Sequence, residues 1–96
     1  MREFVSEVTT FEELHRFSND QITSGGFENL DFMGNLGHSI CANLRDRVYI
    51  EAGNSKRLSE AGLFTFEPHI RQVGGVWGFK WEDIYCFDAD GLVSEI

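Results

Sequence analysis

Cationic side chains are scarce in this chain of 96 residues: eight Lys and Arg stand against sixteen Asp and Glu, a formal net charge of −8. Nucleic acid and anionic membrane surfaces are recognised through clustered cations, so the balance argues against both as partners and leaves metal cations open. Long apolar runs are also missing, and none approaches the roughly 20 residues that span a bilayer. The opening Met1-Arg2-Glu3-Phe4-Val5-Ser6-Glu7 has no hydrophobic stretch of a secretory signal. The two cysteines, Cys41 and Cys86, are too few for a disulfide framework and form no C-x-x-C pair. A reduced, cytoplasmic protein is the expectation. The single proline is Pro68. Close H-x-H and H-E-x-x-H spacings, which make a zinc site legible at a glance, are absent.

What the chain does have is aromatic and aliphatic residues enough for a modest core, nine of them Phe, in a length that allows one domain or part of one. Thr10 and Glu13 stand at capping-box spacing, with acidic residues in the turn they open. Phe11, Leu14 and Ile22 recur at helical intervals, and Gly25-Gly26 supplies a stop. The pattern predicts an amphipathic helix over 10–24. Gly34-Asn35-Leu36-Gly37-His38-Ser39 reads as an irregular turn presenting His38, and Arg47–Glu51 as a short strand. Beyond Gly62 the pattern turns to β. Leu63–Glu67 is a strand whose pairing Pro68 limits, 69–73 continues extended, and Gly74-Gly75 is a hairpin turn. Val76–Phe87 reads as one long strand, and Asp88-Ala89-Asp90-Gly91 closes a second hairpin into 92–96. The fold class is α+β: one N-terminal helix packed on an antiparallel sheet, with residues 1–96 forming a single partial domain.

Strand alternation puts Trp77, Phe79, Trp81, Tyr85 and Phe87 on one face, a stripe expected in a core or an interface. If the strands pair across Gly74-Gly75, Glu67 and Glu82 become neighbours on one sheet face. Paired carboxylates repel, and they persist through a shared proton, cationic partners or a metal. The alternative is that both are solvated, with Lys80 or Arg71 nearby. His38 is equally open, as a turn residue or a ligand. Asp88–Gly91 does not fit a calcium loop, because Cys86 would fall at the first ligand position.

Taken together, three segments resemble a known family. Gly37-His38-Ser39-Ile40 resembles the G-H-G-I element of the creatinase/aminopeptidase (M24-type) metallohydrolases, the pita-bread family that includes methionine aminopeptidase, aminopeptidase P and prolidase. Leu58–Pro68, with Phe64-Thr65-Phe66-Glu67-Pro68 at its end, is similar to the signature closing in F-T-I-E-P. Trp81-Glu82-Asp83-Ile84, followed by Asp90-Gly91, looks like the family's closing I-E-D strand. The resemblance runs from about Gly34 to the end and implies the C-terminal part of a pita-bread fold.

It also implies roles. His38, Glu67 and Glu82 correspond to three of the family's metal ligands, with Glu82 bridging two ions and Glu67 acting also as acid/base on the attacking water. The cofactor is a divalent metal, manganese, cobalt or zinc, with two ions in an intact member. The family's remaining aspartate ligands come from a β-ribbon with no counterpart here. Asp20 lies in the predicted helix and Asp31 in the link after it, and neither carries over. At most one weakly held ion is therefore expected in this chain, which is expected to be inactive alone. The family's second histidine has no match in Leu44-Arg45-Asp46-Arg47, and His69, two residues beyond Glu67, is the candidate for a second catalytic imidazole. The implied function is part of an aminopeptidase- or Xaa-Pro dipeptidase-like hydrolase, acting on peptide or dipeptide substrates when the aspartate-bearing part is present. The alternative is a non-catalytic homodimerising module that retains the family's sheet.

Overall fold

A computed structural model describes residues 1–31 and 34–96. The helix α1 spans Phe11–Ser24, and its capping box is complete. Thr10 Oγ1 accepts from the Glu13 amide, and the Glu13 carboxylate accepts from the Thr10 amide. Phe11 and Leu14 are fully buried, whereas Ile22 packs at the margin of the core. A short strand β1, Phe27–Asn29, follows, then a 3₁₀ turn at Leu44–Asp46, a one-turn helix α2 at Leu58–Ala61, and β2 at Leu63–Phe66. Strands β3 (His69–Gln72), β4 (Gly78–Lys80), β5 (Asp83–Phe87) and β6 (Val93–Glu95) complete the chain. All pairings among them are antiparallel, in the orders β1-β3-β4 and β2-β5-β6.

These two sheets are the outer and inner halves of a single hairpin. Arg71 pairs with Gly78 and His69 with Lys80 near the turn, and Phe66 with Asp83 through Leu63 with Cys86 further on. Every pair is symmetric about Gly74-Gly75, so the register never slips. The long strand expected over 76–87 is nevertheless broken at Trp81-Glu82. Pro68 stands opposite the break. Its carbonyl accepts from the Trp81 amide at 3.3 Å, but it has no N–H to return the bond, so the ladder loses a rung there.

Two further expectations change. Residues 36–40 are an extended segment rather than an irregular turn, bonded on both sides. On one edge of β2, Thr65 and Glu67 amides donate to the His38 and Leu36 carbonyls, and the Ile40 amide donates to the Leu63 carbonyl. On its other side this segment meets 48–50, where a regular strand was expected and isolated bridging is found. The Leu36 amide donates to the Ile50 carbonyl, but the Ile50 amide returns to Gly37 rather than Leu36. Two residues thus oppose one, a bulge that ends regular pairing. Phe32 and Met33, in the link read before it, lie outside the described residues.

The core joins Phe11 and Leu14 of α1 to Leu36, Ile50, Leu58, Phe64, Tyr85 and Val93. The aromatic stripe divides. Tyr85 is buried, whereas Trp77, Phe79 and Trp81 are 77%, 61% and 71% exposed. Strand β4 ends the order of its sheet, and all three of its residues are exposed. Among the described residues no helix is long and apolar enough to cross a membrane.

Candidate functional site

His38 is held by its own backbone before its ring does anything. Its amide donates to Thr65 Oγ1 at 3.1 Å, and its carbonyl accepts from the Thr65 amide at 2.7 Å. Gly37 makes this approach possible. At φ 147 a side chain is disfavoured, and a Cβ there would meet the Thr65 carbonyl oxygen at 2.2 Å.

The ring is then fixed by Ser39. His38 Nδ1 lies 2.8 Å from the Ser39 carbonyl oxygen. A carbonyl can only accept, so Nδ1 carries a hydrogen, and Nε2 is the nitrogen left for another partner. It lies 3.8 Å from Glu67 Oε2. Both side chains are largely buried, at 16% and 18% exposure. The separation is too long for a hydrogen bond. An imidazole and a carboxylate across such a gap are held together by a proton on Nε2 or by a cation between them.

Glu82 enters through the register. One step beyond the Phe66–Asp83 pair, Glu67 stands opposite Glu82. Bonds alternate along an antiparallel ladder, and the Trp81 amide bonds to Pro68, so the adjoining 67/82 position is of the non-hydrogen-bonded kind, in which side chains come closest. Like charges directly opposite destabilise a sheet. The Glu82 side chain turns out to water, which separates the two charges. Neither cation expected nearby neutralises the pair. Arg71 is bonded to Glu28 across β1 and β3, and Lys80 is exposed.

His69 shares the face of Glu67 by strand alternation. Its ring lies over Gly78, where a Cβ would meet His69 Nε2 at 3.2 Å and Leu30 Cδ1 at 3.0 Å. Among the described residues it forms no ion pair with Glu67 or Glu82. Of the aspartates, Asp31 accepts from the Asn35 amide at 3.1 Å and Asp20 is exposed on α1, both apart from His38 and Glu67. Close by on β5, burial raises the Tyr85 phenol above its usual value, Asp83 and Glu95 push the same way, and Arg2 opposes them. Tyr85 is a neutral core group.

The donors present do not amount to a metal centre. Among the described residues no group of three or more His, Cys, Asp or Glu side chains is arranged to hold an ion. The fit is partial. An ion bound by both donors at about 2.0–2.2 Å keeps them about 3.0–3.4 Å apart, a few tenths closer than the 3.8 Å observed. The structure therefore brings His38 and Glu67 together, sets Glu82 across the ladder from Glu67, and leaves His69 to one side. Thr65, Ser39 and Gly37, which orient His38, escaped the sequence reading as functional residues. Their signal was their place inside the segments that resemble G-H-G-I and F-T-I-E-P.

With this geometry in view, comparison with known proteins gives the class. A model of metallopeptidase family M24 matches residues 1–89, and the chain belongs to that family. It is 33% identical over 85 residues to the probable dipeptidase PepE of Mycobacterium tuberculosis, and the aligned part is 88% of this chain and 22% of that protein. The same values relate it to PepE of Mycobacterium bovis. With the Xaa-Pro dipeptidase of Lactobacillus helveticus it shares 35% identity over 83 residues, 86% of this chain and 22% of the relative. The chain thus spans about a fifth of the length of these curated relatives. No solved structure matches it.

Proposed function

We propose that this chain carries part of the hydrolytic site of a dipeptidase-like M24 metallopeptidase. His38, Glu67 and Glu82 supply donors for a divalent ion, manganese, cobalt or zinc, and the donors they lack come from polypeptide outside these 96 residues. The observation that carries the reading is the largely buried His38–Glu67 pair, Nε2 to carboxylate at 3.8 Å, in a chain of a family whose similar members are dipeptidases. When bound, the metal supplies an activated water. Of this chain's own groups, Glu67 would carry a proton from the attacking water to the departing amine, and His69, on the same strand face, would serve the substrate carbonyl. The substrate class is a dipeptide, including those ending in proline. With its donors incomplete, the chain alone holds at most one ion, weakly, and does not turn over.

The test is a swap. These residues replace the matching 83 of the Lactobacillus helveticus enzyme, and the folded chimera, loaded with Mn²⁺, Co²⁺ or Zn²⁺, is assayed on a dipeptide panel. The chain alone is expected to show no hydrolysis. The chimera is expected to be active, and Glu67→Gln within it to lower kcat by about 100-fold or more. A folded chimera that retains metal and hydrolyses nothing on the panel contradicts the proposal.

A further inference from the structure

The carbonyl that holds the His38 ring has a competing use. In an antiparallel ladder the two residues of a hydrogen-bonded pair exchange two bonds, each amide donating to the other's carbonyl. Ser39 and Val48 stand at such a position, next to the His38–Tyr49 bridge. The Ser39 amide donates to the Val48 carbonyl at 2.7 Å. The return bond is displaced. The Val48 amide donates to Ser39 Oγ at 2.9 Å, while the Ser39 carbonyl accepts from His38 Nδ1 at 2.8 Å. Ser39 is 4% exposed and the Val48 bond is partly withdrawn from water. An amide there that lost the hydroxyl would take the acceptor the ladder provides, the carbonyl of residue 39.

We propose that Ser39 is a positioning residue for His38. Its hydroxyl stands in for its own carbonyl in the pairing with 48–50, and the carbonyl so released fixes the imidazole with Nε2 towards Glu67. The proposal rests on the reading of His38 as a metal donor and names what aims it. A ligand histidine that donates its second ring N–H to a carbonyl is held in one tautomer and one orientation. Every residue has a carbonyl, so the hydroxyl is what distinguishes position 39. It is also where the chain departs from the G-H-G-I element it resembles, in which glycine has no side chain to lend. Alternation sends the Ser39 side chain to the sheet face opposite His38, so its effect on the ring passes through the backbone. Tyr49 packs edge-on to the ring, with centroids 6.2 Å apart. Such packing scarcely distinguishes the ring from its flipped form, whereas a carbonyl acceptor does.

The test needs no metal, so its failure is distinct from failure of the donor reading, which the metal-loaded chimera decides. It uses nuclear magnetic resonance of the isotopically labelled 96-residue chain at about pH 9, well above the ordinary imidazole range. The ring-nitrogen shifts of His38 are expected to report hydrogen on Nδ1 and none on Nε2. Coupling through a hydrogen bond is expected to be absent between the Val48 amide and the Ser39 carbonyl carbon. In Ser39→Ala that coupling is expected to appear, as the ladder bond reverts to the carbonyl. The Nδ1–H form of His38 is then expected to lose about fivefold against the Nε2–H form, the effect of one net hydrogen bond. A wild-type ring with its hydrogen on Nε2, or a wild-type coupling from Val48 to the Ser39 carbonyl, overturns the proposal whether or not the variant folds. So does a folded Ser39→Ala chain that keeps the wild-type tautomer ratio.

Discussion

Gly37→Ala is expected to destabilise the chain by about 3–5 kcal/mol, from a disfavoured backbone conformation combined with overpacking against main chain. The added methyl would stand 2.2 Å from the Thr65 carbonyl oxygen, 2.9 Å from its carbon and 3.1 Å from Ile50 Cδ1. A flexible side chain could move aside, but the Thr65 carbonyl belongs to β2 and cannot. Relief therefore requires the 36–40 segment to lift off β2, which breaks the bonds that hold His38. Gly34 is the control. Its φ is +75 but among the described residues nothing lies within 4 Å of its Cβ position, so Gly34→Ala is expected to cost the backbone preference, about 1 kcal/mol. Urea unfolding of both variants checks this, and a Gly37→Ala protein within about 1 kcal/mol of wild type contradicts the contact.

The second large effect is Phe64→Ala, expected to cost about 3–5 kcal/mol. Phe64 is wholly buried, its ring 5.8 Å from Tyr85 and 6.2 Å from Phe87. It therefore fastens β2 to β5, and with them the two arms that carry Glu67 and Glu82. Phe79→Ala, on the same hairpin but 61% exposed, is expected within about 0.5 kcal/mol of wild type. Equal losses at the two positions would contradict the contrast between the packed strand β2 and the exposed strand β4.

The parts of this fold legible in the sequence are those coded by neighbours in the chain. The capping box joins Thr10 to Glu13, the Gly74-Gly75 turn sets a whole hairpin register, and Asp88–Gly91 closes the next, with the Asp88 carboxylate accepting from the Asp90 and Leu92 amides. What escaped depends on residues far apart in sequence. Pro68 announces a limit on its own strand, but the break it imposes falls on Trp81-Glu82 across the ladder. Residues 34–39 read as a turn because Gly34 and Gly37 punctuate them, yet β2 on one side and 48–50 on the other draw 36–40 out straight. Alternation placed Trp77, Phe79 and Trp81 on one face without telling whether anything packs there.

The site divides in the same way. The Glu67–Glu82 opposition follows from turn position and alternation, both local rules. The meeting of His38 with Glu67 does not, because it needs the long-range pairing of 36–40 with β2, and it was reached from the sequence through resemblance. The partners that aim the ring, Ser39 and Thr65, are ordinary hydroxyl residues whose role becomes visible once the backbone bonds are known.

Paramagnetic broadening by Mn²⁺ tests whether His38, Glu67 and Glu82 are, as proposed, donors to one divalent ion. In the isotopically labelled chain, sub-stoichiometric Mn²⁺ is predicted to broaden the resonances of His38, Glu67 and Glu82 first, and Glu67→Gln to abolish that selectivity. Broadening that begins at the acidic Asp88–Asp90 turn, or spreads evenly over the acidic surface, would contradict it.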